Sequence, residues 1–275
     1  MTGIPLIRAH GADIPQIGLG TWQLQGAVME GAVAAALEAG CRHFDTAPRY
    51  ENEADLGIAL RKAGAVRGEI FLTTKVWWTD LAPADLIRSA ERSVETLGMG
   101  PVDLLLVHWP NPAVPLEGTM EALAKAQEMG LTRHVGVSNF GAERLRKAAA
   151  ACPVPLAVNQ CEYHPQLDQS ALIAACRELG IAFEAYAPLG SGNLLADPVL
   201  AEIAERMGRS PAQVLLRWHL QQGVIAIPRS SNPGRVAQNF AVGDFELPEA
   251  DMAALHALAT PEGRHFNPDW VENWD

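Results

Sequence analysis

Four side chains that can carry charge or exchange a proton lie at or just beyond the ends of apolar segments: Asp45, Tyr50, Lys75 and His108. A tyrosine, whose ordinary pKa is about 10, is a poor acid at neutral pH, but a neighbouring ammonium group stabilises its phenolate. A carboxylate would keep the lysine charged and in place, and a histidine could orient a carbonyl group against the phenol. Together these residue types suit the protonation of a carbonyl oxygen while a hydride arrives at its carbon.

The segment FDTAPRYENE (44–53) also has a simpler interpretation as a capped turn. Asp45 and Thr46 can accept hydrogen bonds from the backbone, Pro48 ends the strand, and Asn52 could cap the helix that follows. The chemical interpretation therefore depends on whether the fold brings all four side chains to one place.

The elements that must position these residues form a regular alternation. Eight short apolar segments alternate with amphipathic helical patterns, several of which end in glycine, the usual residue for a left-handed helix stop. The predicted strands are 17–22, 41–47, 69–77, 102–109, 134–139, 155–162, 181–188 and 223–228. Eight such units in 275 residues average about 34 residues each, close to the unit size of a (β/α)8 barrel.

A doubly wound sheet is the competing architecture for the same alternation. That fold usually carries a GxGxxG nucleotide site, and here Gly18 and Gly20 are followed by Gln23 where the third glycine belongs. No composition break indicates a second domain. The sequence therefore predicts one α/β domain over residues 1–275, a single (β/α)8 TIM barrel with short loops. Barrels of this type build their active sites at the carboxyl ends of the strands.

Composition limits the functional class. A net charge of −11 argues against nucleic acid and membrane surfaces as partners, since both select a cationic face. No run of about 18 apolar residues occurs and residues 1–15 lack the layout of a signal peptide, so a cytoplasmic protein is expected. The four cysteines have no CxxC spacing and are expected to be free thiols. The eight histidines form no HExxH pair, which indicates no metal site.

A family resemblance is carried by eight motifs, namely GLGTW, FDTAPRYENE, TTKVW, LLLVHWP, VGVSNF, VNQCEYHP, AYAPLG and IPRSSNPGRVAQN. In this order, over nearly the whole chain, they resemble the aldo-keto reductases. The short loops and the ending PEGRHFNPDWVENWD are most similar to the bacterial 2,5-diketo-D-gluconate reductases of the B type, which also reduce methylglyoxal-like compounds. The resemblance implies a (β/α)8 barrel whose C-terminal tail lies over the mouth.

The resemblance further implies that Asp45, Tyr50, Lys75 and His108 form the catalytic tetrad of an NADPH-dependent carbonyl reductase. Tyr50 would be the general acid in reduction, tuned by Lys75 and Asp45, and His108 would position the carbonyl group. The implied cofactor contacts are Ser138, Asn139 and Gln160 on the nicotinamide amide, Tyr186 on its ring, Leu189, Gly190 and Ser191 along the pyrophosphate, Arg229, Ser230 and Arg235 at the 2′-phosphate, and Gly20, Thr21, Asp45, Pro188, Ile227, Pro228, Ser231, Gln238 and Asn239 elsewhere along NADP(H).

The chain departs from the commoner family pattern at two of these positions. Arg229 stands where lysine is commoner, and Gln238 stands where glutamate is commoner. Arginine can still grip a phosphate with two hydrogen bonds, so NADP(H) is the expected cofactor. The two departures leave the use of NADH open.

The expected substrate is a small carbonyl compound. The substrate-pocket positions of the family are held here by Trp22, Trp77, His108 and Trp109, and the tail residues Phe266 and Trp270 are expected to close the pocket. The segment PNPAVP (110–115) is very short, which indicates an open and poorly selective pocket. The net charge of −11 repels an anionic sugar acid at long range, so attraction must come from local cations such as Lys75 and Arg229. Members of the resembled family are often monomers, and a monomer is expected.

Two other functions fit the same scaffold. One is a non-catalytic nucleotide-binding subunit, like the β-subunits of potassium channels. The other is a Schiff-base aldolase that uses Lys75 as its nucleophile. The complete set of four side chains disfavours the binding subunit, and the aldolase leaves the amide and phosphate motifs without a use.

Overall fold

The computed structural model describes residues 4–268 and residue 271 of the chain. It has an N-terminal hairpin followed by eight strands of one parallel sheet. The hairpin strands are β1 (Leu6–Ala9) and β2 (Ala12–Pro15). The sheet strands are β3 (Leu19–Gly20), β4 (His43–Asp45), β5 (Phe71–Val76), β6 (Val102–Val107), β7 (Thr132–Ser138), β8 (Leu156–Glu162), β9 (Ala182–Tyr186) and β10 (Ile225–Ala226). All eight predicted strands are confirmed.

The sheet closes into a barrel. Neighbouring strands pair in parallel in chain order from β3 to β10. The last strand then meets the segment before the first, because Gly18 N donates to Ala226 O and Ala226 N donates to Gln16 O, both at 2.9 Å. The predicted (β/α)8 fold is therefore confirmed, and the carboxyl ends of all eight strands form one mouth.

Helices follow the strands and cover the barrel from outside. They are α1 (Gly26–Glu38), α2 (Glu53–Lys62), α3 (Pro83–Leu97), α4 (Leu116–Glu128), α5 (Ala142–Ala151), α6 (Ser170–Glu178), α7 (Pro198–Met207), α8 (Pro211–Gln221), α9 (Pro233–Phe240) and α10 (Glu249–His256). Local chemistry fixes several ends: Ser210 and Gln213 form a capping box ahead of α8, and Gly98 ends α3 in the left-handed conformation. No helix within the described residues is long and apolar enough to cross a membrane.

Alternation along the strands divides the core into two layers. On β6, Leu104 and Leu106 point into the barrel, whereas Leu105 and Val107 pack against the helices. The same period of two places Lys75 on the inner face of β5, together with Phe71 at the start of that strand. The inner face therefore changes from apolar at the amino ends of the strands to charged at the carboxyl ends.

The N-terminal hairpin has no counterpart in the predicted elements. Its two-residue turn places His10 at φ +47° and Gly11 at φ +86°, a left-handed turn that matches the twist of a hairpin. Ala9, Ala12 and Ile14 pack with the inner residues at the amino ends of the barrel strands. The hairpin thus covers the end of the barrel opposite the mouth.

The C-terminal tail crosses the mouth, as the resemblance implied. The ring of Phe266 lies edge-on to Trp22 at 5.9 Å and to Tyr186 at 5.5 Å between centroids. The predicted closing role of Trp270 concerns a residue outside those that the structure describes.

Candidate active site

A buried ion pair lies at the centre of the mouth. Lys75 on β5 donates from Nζ to Asp45 Oδ1 on the adjacent strand β4 at 2.6 Å, and to the carbonyl oxygen of Thr46 at 3.1 Å. The side chains of the pair are 0% and 2% exposed. Charges buried this deeply persist only when each is paired and hydrogen-bonded, so this geometry fixes both side chains tightly.

Tyr50 reaches the same point from the loop after β4. A single 3-10 turn over Pro48–Tyr50, ended by Glu51 at φ +56°, turns the ring back over the mouth. Lys75 Nζ donates to the Tyr50 hydroxyl at 3.2 Å. The ring of His108, just beyond β6, lies edge-on to Tyr50 at 5.6 Å between centroids. The four residues that the sequence singled out are therefore brought together.

The protonation states of these groups follow from burial and from one another. Burial alone would lower the pKa of Lys75, but Asp45 and Tyr50 together outweigh it and raise that pKa, so the ammonium form is kept. Burial raises the pKa of Tyr50, although Lys75 pulls it down. The sequence predicted a pKa lowered by Lys75, and that pull is present, but burial exceeds it. At neutral pH the phenol therefore holds its proton and can give it away.

His108 is a neutral imidazole in this setting. Burial, and then the positive charges of Lys75 and Arg49, hold its pKa well below the ordinary value. Its Nδ1 atom is buried without a hydrogen-bond partner in the described part of the chain, and its backbone oxygen accepts from Asn139 Nδ2 at 2.9 Å. The ring also lies edge-on to Trp77 at 5.0 Å between centroids. A neutral ring held from its backbone can offer a hydrogen bond without adding charge beside Lys75.

Asn52 does not cap a helix, contrary to the prediction. No side-chain capping bond is made at the start of α2. Asn52 is instead 1% exposed, donates to the backbone oxygens of Thr21 and Leu24 at 2.7 and 2.8 Å, and accepts from Thr46 Oγ1 at 3.0 Å. Buried side-chain amides are usually hydrogen-bonded, and here the Asn52 amide joins the loops after β3 and β4. The Asp45 carboxylate likewise accepts hydrogen bonds from the side chains of Lys75 and Gln160 rather than from the backbone of a turn.

The amide-bearing residues form a second network beside the ion pair. Tyr186 donates to Asn139 Oδ1 at 2.8 Å, and Asn139 Nδ2 also donates to Ser138 Oγ at 3.1 Å. Gln160 Nε2 donates to Asp45 Oδ2 at 2.8 Å. The predicted nicotinamide contacts thus lie on β7, β8 and β9 and, for Asn139, directly after β7, next to the predicted tetrad.

Glu184 joins this network and was missed by the sequence analysis. It lies on β9 opposite Gln160, whose Nε2 donates to Glu184 Oε1 at 2.5 Å, and it is fully buried. Burial, and then the nearby charge of Asp45, raise its pKa to about 8. A glutamate in the middle of the apolar segment IAFEAYAP, two residues before Tyr186, was the available signal. Its inward direction follows from strand alternation.

The loops after β3 and β10 meet on one side of the mouth. Gly20 N donates to Pro228 O at 3.0 Å, and a side chain at Gly20 would lie 2.9 Å from Ile227 O. Thr21 Oγ1 donates to the backbone oxygen of Asp45 at 2.9 Å. Close backbone approach is thus the reason for a glycine here.

The predicted phosphate residues lie on the outer rim of the same side. Arg229 is exposed and donates from Nε to the backbone oxygen of Trp22 at 3.1 Å, and Asn232 caps α9 by accepting from Arg235 N at 3.1 Å. Ser231, Arg235 and Gln238 are exposed, Ser230 is partly buried, and Asn239 is buried. Arg229, Ser231 and Arg235 lie near the start of α9, whereas Gln238 lies in its second half. The side chain of Asn239 is buried.

The predicted pyrophosphate segment is a strained loop after β9. Ser191 is exposed at φ +52°, and Gly190 is buried at φ +58°. Pro188 is buried, and Leu189 packs against the outer core. Of its small residues, Gly190 is buried, whereas Ser191 and Gly192 are exposed at the rim.

The three tryptophans of the predicted substrate pocket differ in their positions. Trp22 is 46% exposed and Trp77 is partly buried beside His108, so both border the mouth. Trp109 is only 6% exposed and lies in the core.

The chain is similar in sequence to known proteins over most of its length. A model described as the Aldo/keto reductase family matches residues 16–260. An aldo-keto reductase of Mycolicibacterium smegmatis is 46% identical over 260 residues, covering 94% of each chain. The 9,11-endoperoxide prostaglandin H2 reductase of Trypanosoma cruzi is 42% identical, covering 93% of this chain and 92% of the relative.

Solved structures are similar over nearly the whole chain. A candidate 2,5-diketo-D-gluconic acid reductase B superposes with a TM-score of 0.94 at 41% identity, covering 97% of this chain and 95% of the other. A Bombyx mori aldo-keto reductase in complex with NADP superposes with a TM-score of 0.87 at 33% identity, covering 94% of each chain.

The buried Glu184 should make stability depend on pH. The folded protein keeps the Glu184 proton up to about pH 8, whereas an unfolded glutamate loses it near its ordinary pKa of 4.5. Between these values the folded state binds the extra proton, so the free energy of unfolding falls as pH rises, by up to about 1.4 kcal/mol per unit. Glu184→Gln removes this loss. Between pH 6 and pH 8 the free energy of unfolding of the variant, measured with urea, should therefore rise by roughly 2 kcal/mol relative to that of wild type.

The control is Glu202→Gln, which changes an exposed carboxylate and should follow the wild type across the same range. Parallel stability curves for Glu184→Gln and wild type would show that Glu184 does not hold its proton in the folded state.

Proposed function

The chain belongs to the aldo/keto reductase family, oxidoreductases that use NAD(P)H, and we propose that it reduces small aldehydes and ketones with NADPH. The observation that supports this most directly is the Tyr50 hydroxyl, held 3.2 Å from the buried ammonium of Lys75 at the open end of the barrel. A protonated phenol beside a fixed positive charge is suited to donate its proton to a developing alkoxide.

The reduction proceeds by proton donation from Tyr50 to the carbonyl oxygen as a hydride reaches the carbon. The resulting phenolate is stabilised by Lys75, whose charge is in turn held by Asp45. His108, neutral and fixed through its backbone oxygen, orients the carbonyl oxygen toward the phenol. Because the ammonium attracts the phenolate more than the phenol, Lys75 stabilises the transition state rather than the ground state.

The residues around the tetrad fit a reduced nicotinamide nucleotide, which supplies the hydride when it is bound. Ser138, Asn139 and Gln160 present hydroxyl and amide groups that suit a carboxamide, beside the partly exposed ring of Tyr186. Such contacts fix which face of a ring meets the carbonyl carbon, and positioning of this kind contributes strongly to rate.

NADPH is proposed over NADH because of the rim around α9. Arg229 lies just before that helix and Arg235 in its first turn, and both are exposed. Helix amides and guanidinium groups both favour a phosphate. The presence of NADP in the similar Bombyx mori structure is consistent with this choice. The backbone of Leu189–Ser191 is proposed to follow the pyrophosphate.

The proposed substrates are methylglyoxal, 2,5-diketo-D-gluconate and related small carbonyl compounds. Trp22, Trp77 and Phe266 give the mouth an aromatic surface. The segment 110–115 is short, from which we infer an open pocket. The similar structure described as a candidate 2,5-diketo-D-gluconic acid reductase B supports the diketo acid. The net charge of −11 favours the uncharged methylglyoxal at long range.

The two other functions are disfavoured by the same geometry. An aldolase lysine must be a neutral amine to attack a carbonyl carbon, whereas the pKa of Lys75 is raised and its ammonium donates to Asp45, Thr46 and Tyr50. A non-catalytic binding subunit has no need of a proton donor held against a buried cation.

Turnover and the role of Tyr50 can be tested together. Purified protein should oxidise NADPH when given methylglyoxal, an aromatic aldehyde or 2,5-diketo-D-gluconate. Tyr50→Phe should lower kcat by about 100-fold or more, the usual contribution of a general acid, and leave NADPH binding nearly unchanged. Absorbance at the NADPH band measures turnover, and fluorescence titration measures binding.

Tyr163→Phe is the matched control, since its hydroxyl donates to Gln222 and lies outside the mouth network. It should keep the wild-type rate. Absence of turnover by the wild type across this panel would favour the binding subunit, and an active Tyr50→Phe would refute the acid assignment.

Arg229 tests the choice of cofactor. If its guanidinium pairs with the 2′-phosphate, Arg229→Ala should weaken NADPH binding roughly 10- to 100-fold, because a charge-assisted hydrogen bond contributes about 1.5–3 kcal/mol. NADH binding should be almost unchanged. Arg8→Ala removes a charge from the exposed hairpin at the closed end and should affect neither cofactor. Equal losses for NADPH and NADH would mean that Arg229 acts only by holding Trp22.

A further inference from the structure

A cluster of three metal-ligating side chains lies beside the mouth, outside the network described above. Glu162 ends β8, and His164 follows it by two residues. His265 lies in the tail, 103 residues after Glu162. One ligand atom from each lies within 4.8 Å of the others. The sequence pattern indicated no metal site, because Glu162 and His164 have no third ligand near them until the tail folds back.

The distances in this cluster are close to those of a coordinated ion. Glu162 Oε1 lies 3.1 Å from His164 Nε2, at hydrogen-bond distance, and 3.9 Å from His265 Nδ1. Ligands about 2.0–2.1 Å from a tetrahedral zinc ion are separated by roughly 3.3 Å, which falls between these two values. Small rotations of the side chains would therefore bring all three atoms to one ion.

The surroundings hold the carboxylate in position without the imidazoles. Glu162 accepts from the backbone nitrogens of His265 at 2.8 Å and Phe266 at 2.9 Å, which already ties the tail to β8. The rings of His164 and His265 add a stacked pair with centroids 4.7 Å apart. His164 is fully buried, and its Nδ1 has no hydrogen-bond partner among the residues that the structure describes. The two backbone hydrogen bonds to Glu162 already hold the tail, so the two imidazoles beside this carboxylate are not needed for that purpose.

We propose that Glu162, His164 and His265 bind a divalent transition-metal ion of the zinc class. Two imidazole nitrogens and one carboxylate oxygen are a ligand set that zinc accepts, and the two backbone amides orient the carboxylate as outer partners. His164 binds through Nε2, with its proton on Nδ1. The side chain of His265 is 25% exposed, so a fourth position faces water.

An ion at this site joins the tail to the barrel wall. Phe266, next to His265, lies against Trp22 and Tyr186 at the mouth. The ion would hold that ring in place. The binding itself is independent of the proposed reductase activity.

Cobalt(II) provides the test, because its visible absorption reports a low-coordinate site with nitrogen and oxygen ligands. Tag-free protein, treated with a chelator and dialysed, should bind one equivalent of Co²⁺ by calorimetry, with matching visible bands that Zn²⁺ displaces. His265→Ala and Glu162→Gln should each lower the affinity by more than about 100-fold, since outer-shell partners alone contribute 10- to 100-fold. His256→Ala, which removes an exposed histidine elsewhere, should bind like wild type.

His265→Gln repeats the test with a larger polar side chain if alanine loosens the tail, and far-UV circular dichroism verifies that each variant is folded. Wild-type protein without saturable Co²⁺ binding below about 1 mM would overturn the proposal. Binding that survives unchanged in the folded His265 and Glu162 variants would overturn it as well, because the ion would then lie elsewhere.

Discussion

Lys75 brings a positive charge into the barrel interior, and the arrangement of the mouth depends on keeping that charge satisfied. Asp45 accepts from it through one carboxylate oxygen and from Gln160 through the other, and Gln160 also donates to Glu184. A buried charge that lost any of these partners would be strongly destabilising, so four strands, β4, β5, β8 and β9, are fixed relative to one another at their carboxyl ends. The proposed reaction uses this rigidity, since it requires a proton donor at a set distance from a carbonyl group.

The same ion pair determines which neighbouring groups are charged. Next to one ammonium and one carboxylate, burial keeps Tyr50 protonated, His108 neutral and Glu184 protonated near neutral pH. The site therefore holds one positive and one negative charge, plus a phenol that can lose its proton toward the ammonium. Burial raises the pKa of that phenol in the free protein, so its acidity must come from the reacting carbonyl oxygen, whose negative charge develops only during reduction.

Sequence periodicity was sufficient for the barrel, and the ends of the predicted strands indicated Asp45, Lys75 and His108. Tyr50 lies in the loop after β4, and its grouping with these three followed from the family resemblance. Strand alternation predicted that Lys75 faces inward, and the neighbouring positions of β4 and β5 then bring it to Asp45. The hairpin was missed because its strands are four residues each and its turn depends on a left-handed His10. Asn52 and the cluster of Glu162 with His265 depend on contacts between distant segments, which local pattern does not contain.

The coupling of Tyr50 to Lys75 is the central claim, and single-turnover kinetics test it most directly. The rate of hydride transfer at saturating NADPH and methylglyoxal would be measured for Tyr50→Phe, Lys75→Met and the double variant, each verified as folded. If Lys75 acts only by stabilising the phenolate of Tyr50, removing both side chains costs no more than the larger single loss. Rate losses that multiply in the double variant would contradict the account, because the two residues would then contribute independently.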